Sequence, residues 1–322
     1  MTAYVVRRLI QTLPIIFFVS LVGFMIIHAT GDPLAAYTVD ASLTGEDIAR
    51  LRAKYGLDKP VPIQYLNWLK NLITGDWGTS YYTKMPVIDM VFERLPNTLI
   101  LVVISYTATL VAAIVLGIVT AVRQYSILDH AITVISFVGI ATPDFWMGLM
   151  LIIAFAVQPK AAGLPYLPVG GMFDHRVGRT VPQVLWHVIL PAFALSFSIT
   201  ARYLRYIRSS ILEELHLDYV RTARSKGLKD RVVLVRHVLR NALLPLLTLI
   251  GLNIPNLLSG TIVIESMFAW PGMGRLFWRA AERVDIPILM ALLMFVSVLT
   301  VFSSVLTDIL YAVVDPRIRF HD

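Results

Sequence analysis

Residues 218–245 read DYVRTARSKGLKDRVVLVRHVLRNALLP, and this stretch decides how the rest of the chain is interpreted. It is basic, it mixes polar and apolar positions at helical spacing, and Gly227 divides it near its middle. Long apolar runs precede and follow it. A membrane chain with a compact two-helix arm at the edge of the bilayer is suited to contact a soluble partner. We therefore predict that this arm is a functional element.

The composition is that of a membrane protein. Of 322 residues, 57% are hydrophobic and 15% are charged, and the mean hydropathy is +0.71. A soluble domain carries about 25% charged residues. The net charge of +7 comes from Lys and Arg beside apolar runs, which favours membrane flanks over a nucleic-acid surface. The chain has no Cys, which excludes disulfides, thiolate metal sites and a Cys nucleophile.

Apolar runs long enough to cross a membrane define the fold class. At 1.5 Å per residue, about 20 apolar residues cross a hydrocarbon core of about 30 Å. The sequence therefore predicts an all-α membrane protein with six transmembrane helices, the first of which is a retained span and not a signal peptide. The six runs are 9–29, 98–122, 131–157, 180–201, 241–264 and 286–307.

The distribution of Lys and Arg predicts the orientation. Fifteen of these residues fall on one side of the six predicted spans, ten of them between Arg202 and Arg240. The short loops on the opposite side, 158–179 and 266–285, carry three each. Because short cytoplasmic loops are enriched in Lys and Arg, we place the arm and both termini in the cytoplasm.

The long external loop is predicted to fold into a small cap. Thr44 is a plausible N-cap for a helix that ends near Arg52, because acids lie in its first turn and basic residues in its last. Residues 60–72 show a helical spacing of Tyr, Trp and Leu, and residues 75–78 form a turn signal.

These patterns divide the chain into four segments. A first transmembrane helix covers 1–30, and the external cap loop covers 31–96. The transmembrane core covers 97–314 and contains the cytoplasmic arm at 202–241. A short cytoplasmic tail, 315–322, completes the division.

The arm itself is predicted to contain two helices. Asp218 is suited to cap a helix over 219–226, and Gly227 is suited to a positive φ after its end. A second helix over 230–241 then returns to the membrane. Since so short a helix is unstable alone in water, it either docks in a groove of a partner or lies on anionic lipid.

The arm resembles the EAA loop of ABC importer permeases. In the peptide and nickel branch this loop takes the form D-Y-[VI]-x-T-A-[RK]-[AS]-K-G, which the chain matches, with Arg221-Thr222-Ala223 replacing the usual Glu-Ala-Ala. Pro245 follows Gly227 after eighteen residues, as in that loop. The same branch is matched by RRL at 7–9, YGLDKP at 55–60, GDWGTS at 75–80, TPDFW at 142–146 and ESMFAWPGMG at 265–274. The chain thus resembles a first permease subunit of the dipeptide/oligopeptide transporters over essentially its whole length.

This resemblance implies a type I ABC importer permease of the bacterial plasma (inner) membrane. Its implied partners are a sister permease, two cytoplasmic ATPase subunits, an external solute-binding protein and a peptide substrate, in a lipid bilayer. ATP and Mg would bind the partner subunits, so that this chain would bind no cofactor. The short helix of the arm would be the coupling helix. The residues assigned to ATPase coupling are Asp218, Tyr219, Arg221, Thr222, Ala223, Arg224, Lys226 and Gly227.

Polar residues inside the predicted spans are candidates for the translocation path. Asp144 either lines the path and meets a cationic group of the substrate, or caps a helix interrupted at Pro143. Asn253, Asn256 and Ser259 lie in a fifth run rich in small and polar residues, where they either line a wet path or allow close helix contact.

The segment after the fifth run is predicted to lie on the outer side. There, Glu265, Trp270, Pro271 and Gly272 are candidates for contact with the binding protein. The same segment could equally fold back as an external plug.

The sequence shows no constellation typical of an enzyme. It contains no G-x-x-x-x-G-K-[ST], no H-E-x-x-H and no G-x-S-x-G, so we predict a non-catalytic subunit without a metal. Three alternatives stay open at this point. They are the same complex type for nickel or glutathione, an ion-coupled secondary transporter with Asp144 and Asp308 as a relay, and a membrane-anchored scaffold.

Overall fold

A computed structural model describes residues 2–32, 34, 44–243, 245–246, 249–250 and 261–314, with the side chains of 2–9 and 306–314 excepted. Throughout these ranges the regular elements are helices. The described residues also contain one isolated antiparallel β-bridge, between Thr79 and Pro86. The all-α prediction is therefore confirmed. The helices are α1 Thr2–Ala29, α2 Gly45–Lys54, α3 Val61–Ile73, α4 Val87–Val122, α5 Ile127–Ala141, α6 Asp144–Ile152, α7 Gln158–Ala161, α8 Val181–Leu215, α9 Asp218–Ser225, α10 Asp230–Val232, α11 Leu239–Ala242, α12 Met273–Glu282 and α13 Ile286–Val314.

Within the described ranges, five helical segments are long and apolar enough to cross a membrane. They are Ile10–Ala29, Val87–Val122, Asp144–Ala161, Val181–Leu215 and Ile286–Val305. The predicted fifth run, 241–264, contains residues 244, 247–248 and 251–260, which lie outside the described residues.

The third predicted run is divided by a break. Helix α5 ends at Ala141, and α6 begins at Asp144 after Pro143, which supplies no backbone N–H. Beyond α6 the chain continues as a π-helical turn, Ile153–Val157, and as α7. The predicted interruption at Thr-Pro-Asp is confirmed.

The chain forms two compact units. The first contains residues 1–97 and 272–305, and the second contains residues 98–271. In the first unit, Tyr65 of α3 is buried with Phe24 and Met290, and the hydroxyl groups of Tyr65 and Ser20 lie 2.9 Å apart. The cap loop is therefore folded onto apolar helices, because its aromatic residues bury there.

Local signals in the cap loop predict its helices well. Thr44 and Asp47 form a capping box at the start of α2, in which each side chain accepts a hydrogen bond from the other's backbone N–H. The predicted helix near 60–72 is α3. Gly75 and Gly78 take positive φ values of 85° and 76° in the predicted turn.

The second unit is organised around α8, a helix of 35 residues. Buried side chains line α8 at helical spacing along most of its length. At its C-terminal end, Ile207 and Ile211 bury against the two helices of the arm. This core positions the candidate site.

Candidate functional site

The first helix of the arm ends in a hydrogen-bonded reversal at Gly227. The N–H of Gly227 donates to the Arg224 carbonyl at 2.9 Å, and the N–H of Leu228 donates to the Ala223 carbonyl at 3.4 Å. These two bonds are those of a Schellman motif. Gly227 has a φ of +76°, as predicted, which a residue with a Cβ adopts only with strain.

One face of α9 is bound to the chain's own core. Val220 is fully buried and Ala223 is 6% exposed. They share a cluster with Ile207 and Ile211 of α8 and with Val233 of the returning helix, which consists of α10, the π-helical turn Val233–Val238 and α11. Ala223 therefore lies on the inner side of α9 with Val220, so it is not available for direct contact with a partner, and its assignment to ATPase coupling stays a prediction.

The opposite face of α9 is polar and exposed. At 100° per residue, Asp218, Arg221, Thr222 and Ser225 lie together on this face, and all four are exposed. The Arg221 Nη1 atom lies 3.6 Å from the Asp218 carboxylate at the surface. Ser225 was absent from the predicted set, although its spacing from Asp218 and Thr222 places it there. We call these four residues the outer arm face.

Arg224 and Lys226 are exposed beside the outer arm face. The Arg224 Nε atom lies 3.3 Å from Asp230 at the surface, which ties the end of α9 loosely to the start of α10. Both cations therefore add positive charge to the arm.

Tyr219 holds α9 in place and is only half exposed. Its hydroxyl donates to the Glu214 carboxylate at the end of α8 and accepts from Asn241 Nδ2 at 3.2 Å. Burial, followed by the hydrogen bond to Glu214, raises the pKa of Tyr219. This side chain is thus a positioning residue. Glu214 and Asn241 are absent from the predicted set; Asn241 is 22 residues from Tyr219 in sequence, whereas Glu214 is only five residues away.

The predicted cap at Asp218 is wrong. The N-cap of α9 is Leu217, which offers no side-chain acceptor, and Asp218 is the first helical residue. Its carboxylate is 95% exposed. An acid in the first turn still interacts favourably with the helix dipole.

Arginines at the end of α8 have partners within the protein. Arg208 donates from Nε and Nη2 to the two carboxylate oxygens of Asp129, both at 2.9 Å. Asp129, whose side chain is 3% exposed, also accepts from the Tyr125 N–H at 3.0 Å. The Arg205 guanidinium lies 4.5 Å from the centroid of the Phe137 ring. These contacts connect the arm end of α8 to α5.

Asp144 does not cap α6. Pro143 occupies the cap position and the helix has no side-chain cap hydrogen bond. Instead, Asp144 Oδ1 accepts from Ser198 Oγ of α8 at 2.6 Å. The capping interpretation is therefore wrong, whereas a role in the path stays a prediction. The other path candidates, Asn253, Asn256 and Ser259, lie outside the described residues.

The predicted binding-protein contacts are largely buried. Glu265 and Trp270 are both 0% exposed. Glu265 Oε1 accepts from Thr98 Oγ1 at 2.7 Å, and the Trp270 backbone N–H donates to the Glu265 carbonyl at 2.8 Å. Assigning these two residues to a partner surface is therefore wrong, because the segment folds back and buries its large side chains.

The two neighbours of Trp270 differ in exposure. Pro271 is partly exposed, and Gly272 is buried at the N-cap of α12. Of the four predicted contacts, Pro271 is therefore the one that stays partly accessible. Across the described residues, His, Asp and Glu side chains form no group of three that could hold a metal.

Comparison with known proteins assigns the chain to a family. Residues 113–320 match the family described as "Binding-protein-dependent transport system inner membrane component". Residues 1–102 match the corresponding N-terminal family, "Binding-prot-dependent transport system membrane comp, N-term". The chain belongs to this family of transport components. As such a component, it is a multi-pass membrane protein and a non-catalytic part of a transport system.

Curated relatives extend the likeness of this transport component over its whole length. The oligopeptide transport system permease protein AppB of Bacillus subtilis (strain 168) is 42% identical over 322 residues, which is 99% of this chain and 100% of the relative. A putative peptide permease protein of Brucella suis biovar 1 (strain 1330) is 38% identical, with 99% of each chain covered. A probable peptide ABC transporter permease protein of Sinorhizobium fredii (strain NBRC 101917 / NGR234) is 34% identical and covers 99% of this chain and 100% of the relative.

Proposed function

We propose that the chain is a permease subunit of an ATP-driven ABC importer and forms half of a translocation path for di- and oligopeptides. Three relatives with matches over their full length are named as peptide permeases, which supports the cargo class. The sequence has no phosphate-binding loop, which supports a motor on separate subunits. The proposed partners are a sister permease, two cytoplasmic ATPases and an external solute-binding protein.

The proposed topology has six spans with both termini in the cytoplasm. Helices α5 and α6 together would provide the third crossing, with the break at Pro143 inside it. The fifth crossing, at 241–264, stays a prediction from the sequence. The count of Lys and Arg on the two sides supports the orientation.

The observation that carries this proposal is the two-sided character of α9. Its inner face is buried against α8 and the returning helix, while the outer arm face presents only polar and charged groups. A partner bound to the outer arm face would therefore move α9 and α8 together, since Val220 and Ala223 pack tightly between them. This geometry supports a coupling helix over a helix lying on lipid, because no apolar face is left to enter a bilayer.

The absence of Cys permits a direct test of this contact. Single Thr222→Cys and Ser225→Cys variants would carry a photoreactive maleimide in the assembled transporter. We expect crosslinks to the ATPase subunits from both positions. Gln124→Cys is the matched control, since Gln124 is exposed on the same predicted side but outside the arm. Equal crosslinking from Gln124 and the arm, or none from the arm, would contradict the proposal.

Cargo and energy source require reconstitution of the whole complex. We expect vesicles that contain the permease pair, the ATPases and the binding protein to accumulate a labelled dipeptide only with ATP. Excess nickel or glutathione should leave this uptake unchanged, and competition by either would reassign the cargo. Uphill uptake by this chain alone under an ion gradient would overturn the ABC assignment.

A further inference from the structure

A cavity in the first unit is lined by the cap loop, by α1 and by the start of α13. Its volume is about 270 Å³, just below the roughly 300–1,000 Å³ of pockets for drug-sized ligands. The YGLDKP and GDWGTS motifs, at 55–60 and 75–80, both contribute to its wall. The coupling arm uses neither of these motifs. The cavity therefore gives them a common location, beside a space for a small ligand.

Helix α3 presents a stripe of carboxamide side chains to this cavity. Gln64, Asn67, Trp68 and Asn71 follow one another at i, i+3, i+4 and i+7, so they share one side of α3, and all four line the cavity. Gln64 Nε2 donates to the Lys59 carbonyl at 2.8 Å, which holds that carboxamide in place. A carboxamide both donates and accepts hydrogen bonds, so it matches the N–H and the C=O of a peptide group.

Aromatic rings of the cap loop form the apolar part of the wall. Tyr55, Trp77 and Tyr81 line the cavity together with Trp68, and all four are partly exposed. The ring centroids of Tyr55 and Tyr81 lie 4.6 Å apart, and the Tyr55 hydroxyl accepts from Lys84 Nζ at 2.7 Å. Because these contacts hold the Tyr55 ring in place, a ligand finds an apolar surface that is already formed.

One cation and one anion complete the wall. Lys54 and Asp76 both line the cavity and are both exposed, and within the described part of the chain no ion pair joins them. Asp76 is fixed at the end of α3, because its Oδ1 accepts from the Gly78 N–H and its own N–H donates to the Asn71 carbonyl, both at 2.9 Å. The two charges balance, so the wall fits a ligand that carries one charge of each sign.

We propose that this cavity binds a short peptide with free ends. Its ammonium group would face Asp76, its carboxylate would face Lys54, and its peptide group would meet the carboxamides of α3. A sphere of the cavity's volume is about 8 Å across, and an extended dipeptide measures about 7 Å. A neutral sugar would make no use of the two charges. The choice of a peptide over another zwitterion rests on the proposed function.

The test is photoaffinity labelling of the assembled transporter in detergent, with the binding protein and ATP left out. The probe is alanyl-photoleucine, a dipeptide with a diazirine side chain, and mass spectrometry locates the label in the sequence. We expect label within 54–81 and its displacement by dialanine. Label confined to other parts of the complex would overturn the proposal.

Competitors with one blocked end test the two charges separately. Asp76→Asn should weaken displacement by dialanine and by dialanine amide, which have a free ammonium group, about fivefold, and leave N-acetyl-dialanine unchanged. Lys54→Gln should weaken dialanine and N-acetyl-dialanine about as much and leave dialanine amide unchanged. An asparagine at position 76 can still accept from the Gly78 N–H, so the turn should be retained.

Matched controls remove the same charges outside the cavity. Asp58 and Lys70 are exposed in the cap loop but do not line the cavity, so Asp58→Asn and Lys70→Gln should leave all displacement unchanged. An equal loss for all three competitors in Asp76→Asn would contradict a charge contact and overturn the proposal. Displacement by maltose as strong as that by dialanine would overturn it as well, because the ligand would then be a carbohydrate.

Failure of this proposal can be told apart from failure of the proposed function. A transporter that accumulates a dipeptide with ATP, yet carries no label within 54–81, would exclude this site and leave the importer function intact. Label there that responds to both charge variants, in a complex without ATP-driven uptake, would support the site and count against the importer.

Discussion

Arg208 and Asp129 form a two-pronged ion pair in which both hydrogen bonds measure 2.9 Å. The pair joins the N-terminal end of α5 to α8 seven residues before α8 ends. Asp129 receives a third hydrogen bond from the Tyr125 N–H, so its buried carboxylate is well satisfied. The arm is therefore attached to a helix that is itself fixed to its neighbour.

Removal of Arg208 should destabilise the second unit. Arg208→Met leaves the Asp129 carboxylate buried without its main partner. The free energy of unfolding should decrease by an amount at the low end of roughly 3–5 kcal/mol, since Arg208 is partly exposed. Thermal unfolding in detergent would show a lower Tm. The double variant Asp129→Asn/Arg208→Met should show a smaller decrease in Tm than Arg208→Met alone. A larger decrease would contradict the ion-pair account.

The same pair predicts a pH dependence. The hydrogen bonds from Arg208 hold the pKa of Asp129 below its usual value. A carboxyl with a depressed pKa contributes stability above its unfolded pKa of about 3.9 and loses it as the pH falls through the folded pKa. The difference in Tm between wild type and Asp129→Asn should thus be constant from about pH 8 to 6 and shrink below about pH 4. Shrinkage already near pH 6 would point to a histidine instead.

The two faces of α9 should respond differently to the same new charge. Ala223→Glu places an unpaired carboxylate in the core, at a cost on the order of 3 kcal/mol, so folded protein should be lost. Thr222→Glu alters only the outer arm face, so folding should be retained while ATP-driven uptake per folded transporter falls. The readouts are the monodisperse yield and the uptake rate. Equal yields for the two variants would show that the inner face is misassigned.

Gly227 is required for its backbone conformation and not for space. A Cβ at this position would meet nothing within 4 Å, but φ is +76°. Gly227→Ala should lower the free energy of unfolding by about 1 kcal/mol, and Gly227→Asn should lower it by less. Gly45 is the control, since it also has open space but no positive φ, and Gly45→Ala should be neutral or slightly stabilising. Comparable losses at both glycines would refute the conformational explanation.

Close helix packing makes Gly117 harder to replace than Gly148. A Cβ on Gly117 would lie 2.8 Å from Cγ2 and 3.0 Å from Cβ of the β-branched Ile207, which has little freedom to move. On Gly148 it would lie 2.7 Å from Sδ of Met267, a flexible side chain. We expect Gly117→Ala to lower the free energy of unfolding by about 1–3 kcal/mol and Gly148→Ala to lower it clearly less. The decrease in Tm should therefore be larger for Gly117→Ala. The reverse order would disprove this reading of the packing.

Features set by neighbouring residues were predictable from sequence. The N-cap at Thr44, the reversal at Gly227 and the break at Pro143 each depend on backbone chemistry within a few positions, and all three appear as predicted. The resemblance carried by the arm motif gave the family as well. Short-range signals of this kind need no knowledge of the tertiary structure.

Errors arose where a distant residue decides exposure. Glu265 reads as a surface acid after an apolar run, yet its partner Thr98 lies 167 residues away in sequence. Asp144 reads as a helix cap, yet it binds Ser198, 54 residues away. A short amphipathic helix likewise does not reveal which of its faces the same chain covers, and the burial of Ala223 is visible only in the structure.

Helix α8 has a mechanical consequence. Its 35 residues contain no glycine, and at 1.5 Å per residue it measures about 52 Å, longer than the hydrocarbon core is thick. The arm is therefore carried on one continuous helical rod, whose interior proline, Pro191, lies in the half away from the arm. A push of a few ångströms at the docking end would tilt the whole rod, so that the stroke of a motor on one side of the bilayer reaches the other side without any change of secondary structure.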